Sequence, residues 1–187
     1  KGTKPIIAAV DGQAVGVGVT LLLHCDLVYA SPTATFRAPF VNLGIIQEAG
    51  SSLTGPSRLG YANAFELLIA GALWDAPRAK EAGLVNGIVP AADLEKHALG
   101  MAHSLAAKPR EALYAARRMM RGKPEDIGAM IEAEAGDSAA ERAAAQAARR
   151  DGSGRRADVA RPVRRLSGGA AAPALSARSA RARRGAA

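Results

Sequence analysis

Apolar and polar positions follow two regimes along the chain. Between Lys4-Pro5 and Asp11-Gly12, the run Ile6-Ile7-Ala8-Ala9-Val10 is continuously apolar, rich in β-branched residues and closed by a turn dipeptide, which predicts a buried strand. A glycine-punctuated loop follows. Gly16-Val17-Gly18 then opens an apolar stretch, Val19 to Leu23, whose leucines predict a buried helix ending at Asp26. Leu27-Val28-Tyr29-Ala30, stopped by Ser31-Pro32, reads as a second strand, and Thr35-Phe36 before Ala38-Pro39 as a third, short extended piece.

Beyond Gly50 the spacing becomes helical. Helices are predicted over Ser51 to Leu59, Ala62 to Ala70 and Pro77 to Ala82, then a short strand from Leu84 to Val89 closed by Pro90. Asp93 to Ala107 and Pro109 to Arg121 continue with apolar residues at helical spacing, and Pro109 and Pro124 stand where a first helical turn tolerates proline. The last helical pattern fades near Arg149. From there the chain is mostly Ala, Arg, Gly, Ser and Pro without an aromatic residue; it buries too little apolar surface to offset its ordering entropy, which predicts a disordered tail over 149–187. Strands and helices alternate through the first 90 residues and only helices follow over 91–148, an α/β pattern with a helical C-terminal region.

The 187 residues are 49% hydrophobic and 22% charged, the balance of one soluble globular domain plus a tail. Lys1 stands first, with neither an initiator Met nor a basic leader, so the sequence is expected to begin inside a longer gene product. The stretch from Ile6 to Ala30 is broken by Asp11, Gln13, His24 and Asp26, whereas a membrane span needs ~20 mostly apolar residues, so no membrane association is expected. Cys25, the single cysteine, has no internal disulfide partner and sits in an apolar context; a small buried thiol in a reducing, cytoplasmic compartment is the expectation. The net charge of +8 is concentrated in the tail, where eleven arginines between Arg149 and Arg184 face only Asp151 and Asp158. The rest of the chain is nearly neutral, and the tail lacks the aromatic residues that interleave with basic ones in single-strand binders, which argues against a nucleic-acid partner.

Lys4-Pro5-Ile6-Ile7-Ala8-Ala9-Val10-Asp11-Gly12, Ala14-Val15-Gly16 and Cys25-Asp26-Leu27-Val28-Tyr29-Ala30 together resemble the enoyl-CoA hydratase/isomerase (crotonase) family. Leu43-Gly44-Ile45-Ile46, Arg58-Leu59-Gly60 and the stretch from Ala79 to Pro90 keep the family's order and spacing. The resemblance covers residues 1 to about 135 and implies a fold of stacked ββα turns, with 1–90 as the later part of the core and 91–148 as helices that cover the site and mediate a homotrimer or dimer of trimers. It also implies that the family's first turns, with the second oxyanion donor, precede this sequence. The implied substrate is an acyl-CoA thioester, with coenzyme A part of the substrate and no separate cofactor or metal.

Family chemistry stabilises a thioester enolate with two converging backbone N–H groups, and the resemblance puts one of them on Val17 between Gly16 and Gly18, at a helix start whose dipole adds to the effect. Hydratases use two carboxylates, and the matching positions here are Thr20 and Phe40, neither of which replaces a carboxylate. The remaining acid is Glu48, in Gln47-Glu48-Ala49-Gly50-Ser51-Ser52, which resembles the 3-enoyl-CoA isomerase branch, where a Glu precedes Gly and two small hydroxyl residues. One base suffices for that reaction: it takes a proton from C2 and returns it at C4. Ile45, Ile46 and Ala49 are expected to desolvate Glu48, while Phe40 and Leu43 are expected at the acyl pocket. Two bland readings stand beside these, Glu48 as a surface acid favouring the helix that starts at Ser51 and Phe40 as plain core. His24, His97 and His103 lack metal-ligand spacing, and Lys108, Arg110, Arg117 and Arg118 read as a solvated helix face.

Overall fold

In the computed structural model, residues 4–121 and 125–137 are described, all within one compact unit, Lys1–Gly154. The predicted tail and the boundary that sets it off lie outside the described residues.

The first predicted strand forms as β1 (Ile7–Val10) and the second as β3 (Leu27–Ala30); they pair in parallel, with Ile7 opposite Leu27 and Val10 opposite Ala30. Between them the chain makes β2 (Gln13–Val15), then α1 (Val17–Thr20), continued by a 3-10 turn over Leu21–His24. After β3 come β4 (Thr35–Arg37) and, past a 3-10 turn at Val41–Leu43, the helix α2 (Ser51–Leu59). Each round thus gives one strand to each of two sheets before a helix returns the chain. The first sheet has the order β1-β3-β6, with β6 at Gly87–Ile88, and the second β2-β4-β5, with β5 at Trp74–Asp75. Stacked ββα turns are what the sequence resemblance implied.

Two expectations need correction, and one short strand lies where no element is predicted. β2 is a strand where the glycine-punctuated sequence predicts loop: its exposed–buried–exposed pattern hides a single side chain, Ala14, and its strand character comes from pairing with β4. β5 is two residues long and antiparallel to β4, too short to show any period. The strand expected over Leu84 to Val89 shrinks to two residues, because the amides of Leu84 and Val85 both donate to the Ala79 carbonyl in the turn after α4 (Ala76–Glu81). Asn86 then locks onto β3 from both ends: its backbone N–H donates to the Val28 carbonyl, and its side-chain oxygen accepts from the Val28 N–H, each at 2.8 Å.

The core lies between the sheets and the helices, where Val19, Val28, Phe36, Leu67, Trp74 and Leu84 are almost fully buried. α2 crosses α3 (Tyr61–Leu68) at Gly55, where a Cβ would stand 2.8 Å from Leu68 Cδ1; the glycine is there to let the two helices touch. Arg58 on α2 ties the layers together, donating through Nη1 to the Leu22 and Cys25 carbonyls at 2.9 and 2.7 Å, and through Nη2 to Leu84 at 3.2 Å. It explains why an arginine belongs in the Arg58-Leu59-Gly60 motif.

Two further helices pack on the first sheet and its flank. α5 (Ala91–Ala106) lies against β1 and β3, with the His97 ring edge-on to Tyr29 at 4.5 Å. α6 (Arg110–Arg121) is held by Asp26, both of whose oxygens lie 2.9 Å from Arg117 Nε while one also accepts from the Ile6 N–H at 2.7 Å. Arg117, expected on a solvated face, therefore has a side chain only 11% exposed, because Asp26 supplies the paired charge that burial of a guanidinium requires. Residues 125–137, the last described, are helical and are labelled α7.

Candidate active site

The loop into α1 turns on Gly16, whose φ of 56° and ψ of −118° suit glycine alone. Its carbonyl accepts from Val19 and Thr20, and among the described residues the Val17 and Gly18 amides at the head of the helix have no acceptor. Space is open around Gly16, where no atom lies within 4 Å of an added Cβ, so the glycine serves the backbone conformation rather than close packing. Gly18 has ordinary backbone angles and an ordinary 3.9 Å contact to Ala14. Val17 itself is half-exposed.

Glu48 stands on the turn that leads into α2, and this turn is held from four directions. The Gln47 side chain donates to Ser52 Oγ at 2.7 Å, bridging over Glu48. The Ser51 N–H donates to the Glu48 carbonyl at 3.2 Å. His24, at the far end of the helical segment begun by Val17, lies with Nε2 2.6 Å from the Ala49 carbonyl; a carbonyl only accepts, so Nε2 carries the proton. From α7, Glu134 accepts from the Gly50 and Ser52 amides at 2.6 and 2.9 Å. At the centre is Ala49, with φ of 61°, the one non-glycine in the left-handed region among the described residues. Such a conformation costs about 1–3 kcal/mol and persists where its surroundings over-determine it.

The carboxylate of Glu48 is the part of this turn left unused. It is exposed, and among the described residues nothing hydrogen-bonds or pairs with it. The desolvation expected from Ile45, Ile46 and Ala49 is not realised: Glu48 is exposed although these three neighbours are half-buried, Ile45 against the core. Nor does Glu48 cap α2: Glu134, 82 to 84 residues away in sequence, takes that role. Sequence reasoning passed over Glu134, an acid in an alanine- and glutamate-rich helix; its only local signal was an acid at helical spacing from Ile127 and Ile131.

Phe40 is 5% exposed and packs in the core, while its backbone carbonyl accepts from Leu43 and Ile45 and shapes the loop toward Glu48. Leu43 is 70% exposed. Thr20 is fully buried, with its hydroxyl turned back to the Val17 carbonyl at 3.3 Å. Cys25 is half-buried rather than buried, burial pushes its thiol pKa up, and its Sγ donates to the Leu21 carbonyl at 3.6 Å. His24, Cys25, Leu53, Ser57, Met120 and Ile127 contribute to the wall of a cavity of about 770 Å3 between the core and the last two helices. No helix among the described residues is long and apolar enough to cross a membrane.

The family model for enoyl-CoA hydratase/isomerase matches residues 1–154. Enoyl-CoA delta isomerase 2 of Rattus norvegicus is 38% identical over 132 residues, which are 70% of this chain and 34% of the rat protein. The 2,3-dehydroadipyl-CoA hydratase of Escherichia coli is 36% identical over 122 residues, 65% of this chain and 48% of that one. The chain thus spans a third to a half of the curated relatives it matches. Among solved structures, an enoyl-CoA hydratase/isomerase from Pseudoalteromonas atlantica T6c superposes with a TM-score of 0.72 at 38% identity, covering 80% of this chain and 63% of that one. With two sheets wound in ββα turns and a family match over most of its length, the chain belongs to the enoyl-CoA hydratase/isomerase family and has its crotonase fold.

Proposed function

We propose that this chain carries the proton-transfer half of an enoyl-CoA isomerase, which moves the double bond of a 3-enoyl-CoA to the 2-position in fatty acid oxidation. The observation that carries this reading is the Glu48 carboxylate, without a hydrogen-bond partner among the described residues, on a turn held from four directions. A base without a competing partner, on a rigid support, is ready for a proton and loses little on reorganising.

In the proposed reaction Glu48 takes a proton from C2. The C–H electron pair passes into the thioester as a dienolate, whose oxygen the Val17 N–H stabilises at the open head of α1. The neutral acid then returns the proton to C4, the 2-enoyl thioester forms, and the carboxylate is regenerated. Water takes no part. The substrate is an acyl-CoA thioester, no further cofactor is needed, and the approaching acyl chain supplies the desolvation that the described residues leave undone. Gly16 and Gly18 give the thioester access to Val17, Leu43 offers an exposed apolar side chain to the acyl group, and Phe40 holds the loop beneath it. The assembly proposed is a homotrimer or a dimer of trimers.

Similarity to hydratases at comparable identity supports a second reading, addition of water to a 2-enoyl-CoA. That reaction calls for a second carboxylate, and the two positions where the resemblance would place one hold Thr20 and Phe40, both buried. Product analysis separates the readings: 3-enoyl-CoA goes to 2-enoyl-CoA under the first, whereas under the second 2-enoyl-CoA goes to 3-hydroxyacyl-CoA and 3-enoyl-CoA is left unchanged.

A further inference from the structure

We infer that Glu134 is a positioning residue for Glu48, the link through which α7 holds the acid-bearing turn in shape. The inference rests on reading Glu48 as the proton carrier. Glu134 is 4% exposed and is the one acid among the buried polar residues described. A carboxylate is expensive to bury unless its oxygens are satisfied, and here each oxygen takes one backbone amide, Oε2 from Gly50 and Oε1 from Ser52. Gly50 is the N-cap of α2 and Ser52 lies in its first turn, where the positive end of the helix dipole adds to the attraction. The same amides follow Ala49 by one and three residues and Glu48 by two and four.

Packing supports the hydrogen bonds. A Cβ at Gly50 would stand 3.0 Å from Ile127 Cγ2 and 3.4 Å from an Ile131 side-chain carbon, so α7 lies directly on the turn and leaves no room for a side chain there. Gly50 is thus constrained twice by α7, through its N–H and through its missing side chain. Without the carboxylate, the amides of Gly50 and Ser52 lose their acceptor under an apolar cover. The left-handed turn at Ala49 then loses one of its restraints, and the Glu48 side chain rides on whatever the backbone does next. Because Glu134 is so remote in sequence, the turn acquires its final form only when the C-terminal helix docks.

The test compares the full chain with its Glu134→Gln and Glu134→Asp variants, reading amide hydrogen exchange alongside steady-state isomerisation of a 3-enoyl-CoA. Glutamine keeps the shape but turns an NH2 group toward a donor, and aspartate keeps the charge but falls short by a methylene. In Glu134→Gln, exchange at Gly50 and Ser52 should rise at least about tenfold while Val28 and Ala30 of β3 are unchanged, and kcat should fall about 10- to 100-fold with KM within about twofold, the scale of a small displacement of a reacting group. Glu134→Asp should recover part of both effects. Unchanged exchange, faster exchange with unchanged kcat, or equal acceleration throughout β3 would each overturn the inference, the last by making Glu134 a general stabiliser. Turnover that survives Glu48→Ala would instead defeat the base assignment, and the exchange data separate that failure from failure of the clamp.

Discussion

His24 and Ala49 meet at 2.6 Å, imidazole Nε2 to backbone carbonyl, and this bond joins the segment that begins at Val17 to the turn that bears Glu48. Removing it with His24→Ala leaves a half-buried carbonyl without its donor. Global stability should fall by about 1–2 kcal/mol in urea titration, and isomerisation should slow through kcat. His24→Gln, which retains a donor on a longer side chain, should lose less.

Ala49 carries backbone strain that a β-branched residue cannot share. Ala49→Val should cost about 1–3 kcal/mol because φ of 61° puts its Cγ atoms against the backbone. Ala49→Gly removes the strain but adds freedom to the unfolded chain, two effects of about 1 kcal/mol that nearly cancel. Its stability should stay near wild type while the looser turn lowers kcat. Chemical denaturation and steady-state kinetics on the same preparations check both.

Arg58 serves carbonyls rather than an acid, and its planar fork suits the divergent oxygens of Leu22, Cys25 and Leu84. Arg58→Met strands these acceptors and should destabilise by about 3 kcal/mol. Arg58→Lys should restore less than half, since one ammonium cannot reach all three. Shifts in the urea midpoint at constant m-value report the outcome.

Glu66 supplies a pH dependence. The hydrogen bond from Arg78, whose guanidinium also lies over the Trp74 ring, holds the Glu66 carboxyl below the ordinary glutamate value. A depressed folded-state pKa adds stability above the unfolded pKa, and that stability is lost as pH falls through the folded one. The melting temperature of wild type should therefore exceed that of Glu66→Gln at neutral pH, with the gap closing below the ordinary carboxyl range. A gap that widens in acid would reverse the sign.

The legible parts of this fold are those fixed by local punctuation. Leu27–Ala30 and Ser51–Leu59 appear residue for residue as expected, because Asp26, Ser31-Pro32, Gly50 and Gly60 bound them. β2 and β5 escaped because their existence depends on pairing with β4 and their side chains show no period. For the site, the resemblance marked Glu48 and Val17, and the structure adds the supports. No local pattern announces that Ala49 adopts a left-handed turn, that His24 reaches its carbonyl, or that Glu134 crosses back to Gly50. Those relationships are tertiary, and each needs the docked chain to exist.

The most direct test of the central claim is conversion of a 3-enoyl-CoA to its 2-enoyl isomer by the chain and by its Glu48→Ala variant, with hydration of a 2-enoyl-CoA followed in parallel. A single-base isomerase should lose about 100- to 10,000-fold in kcat in the variant, the usual range for a general acid–base group, with negligible hydration by either protein. Isomerisation that persists without Glu48, or hydration that dominates in the wild type, would contradict it.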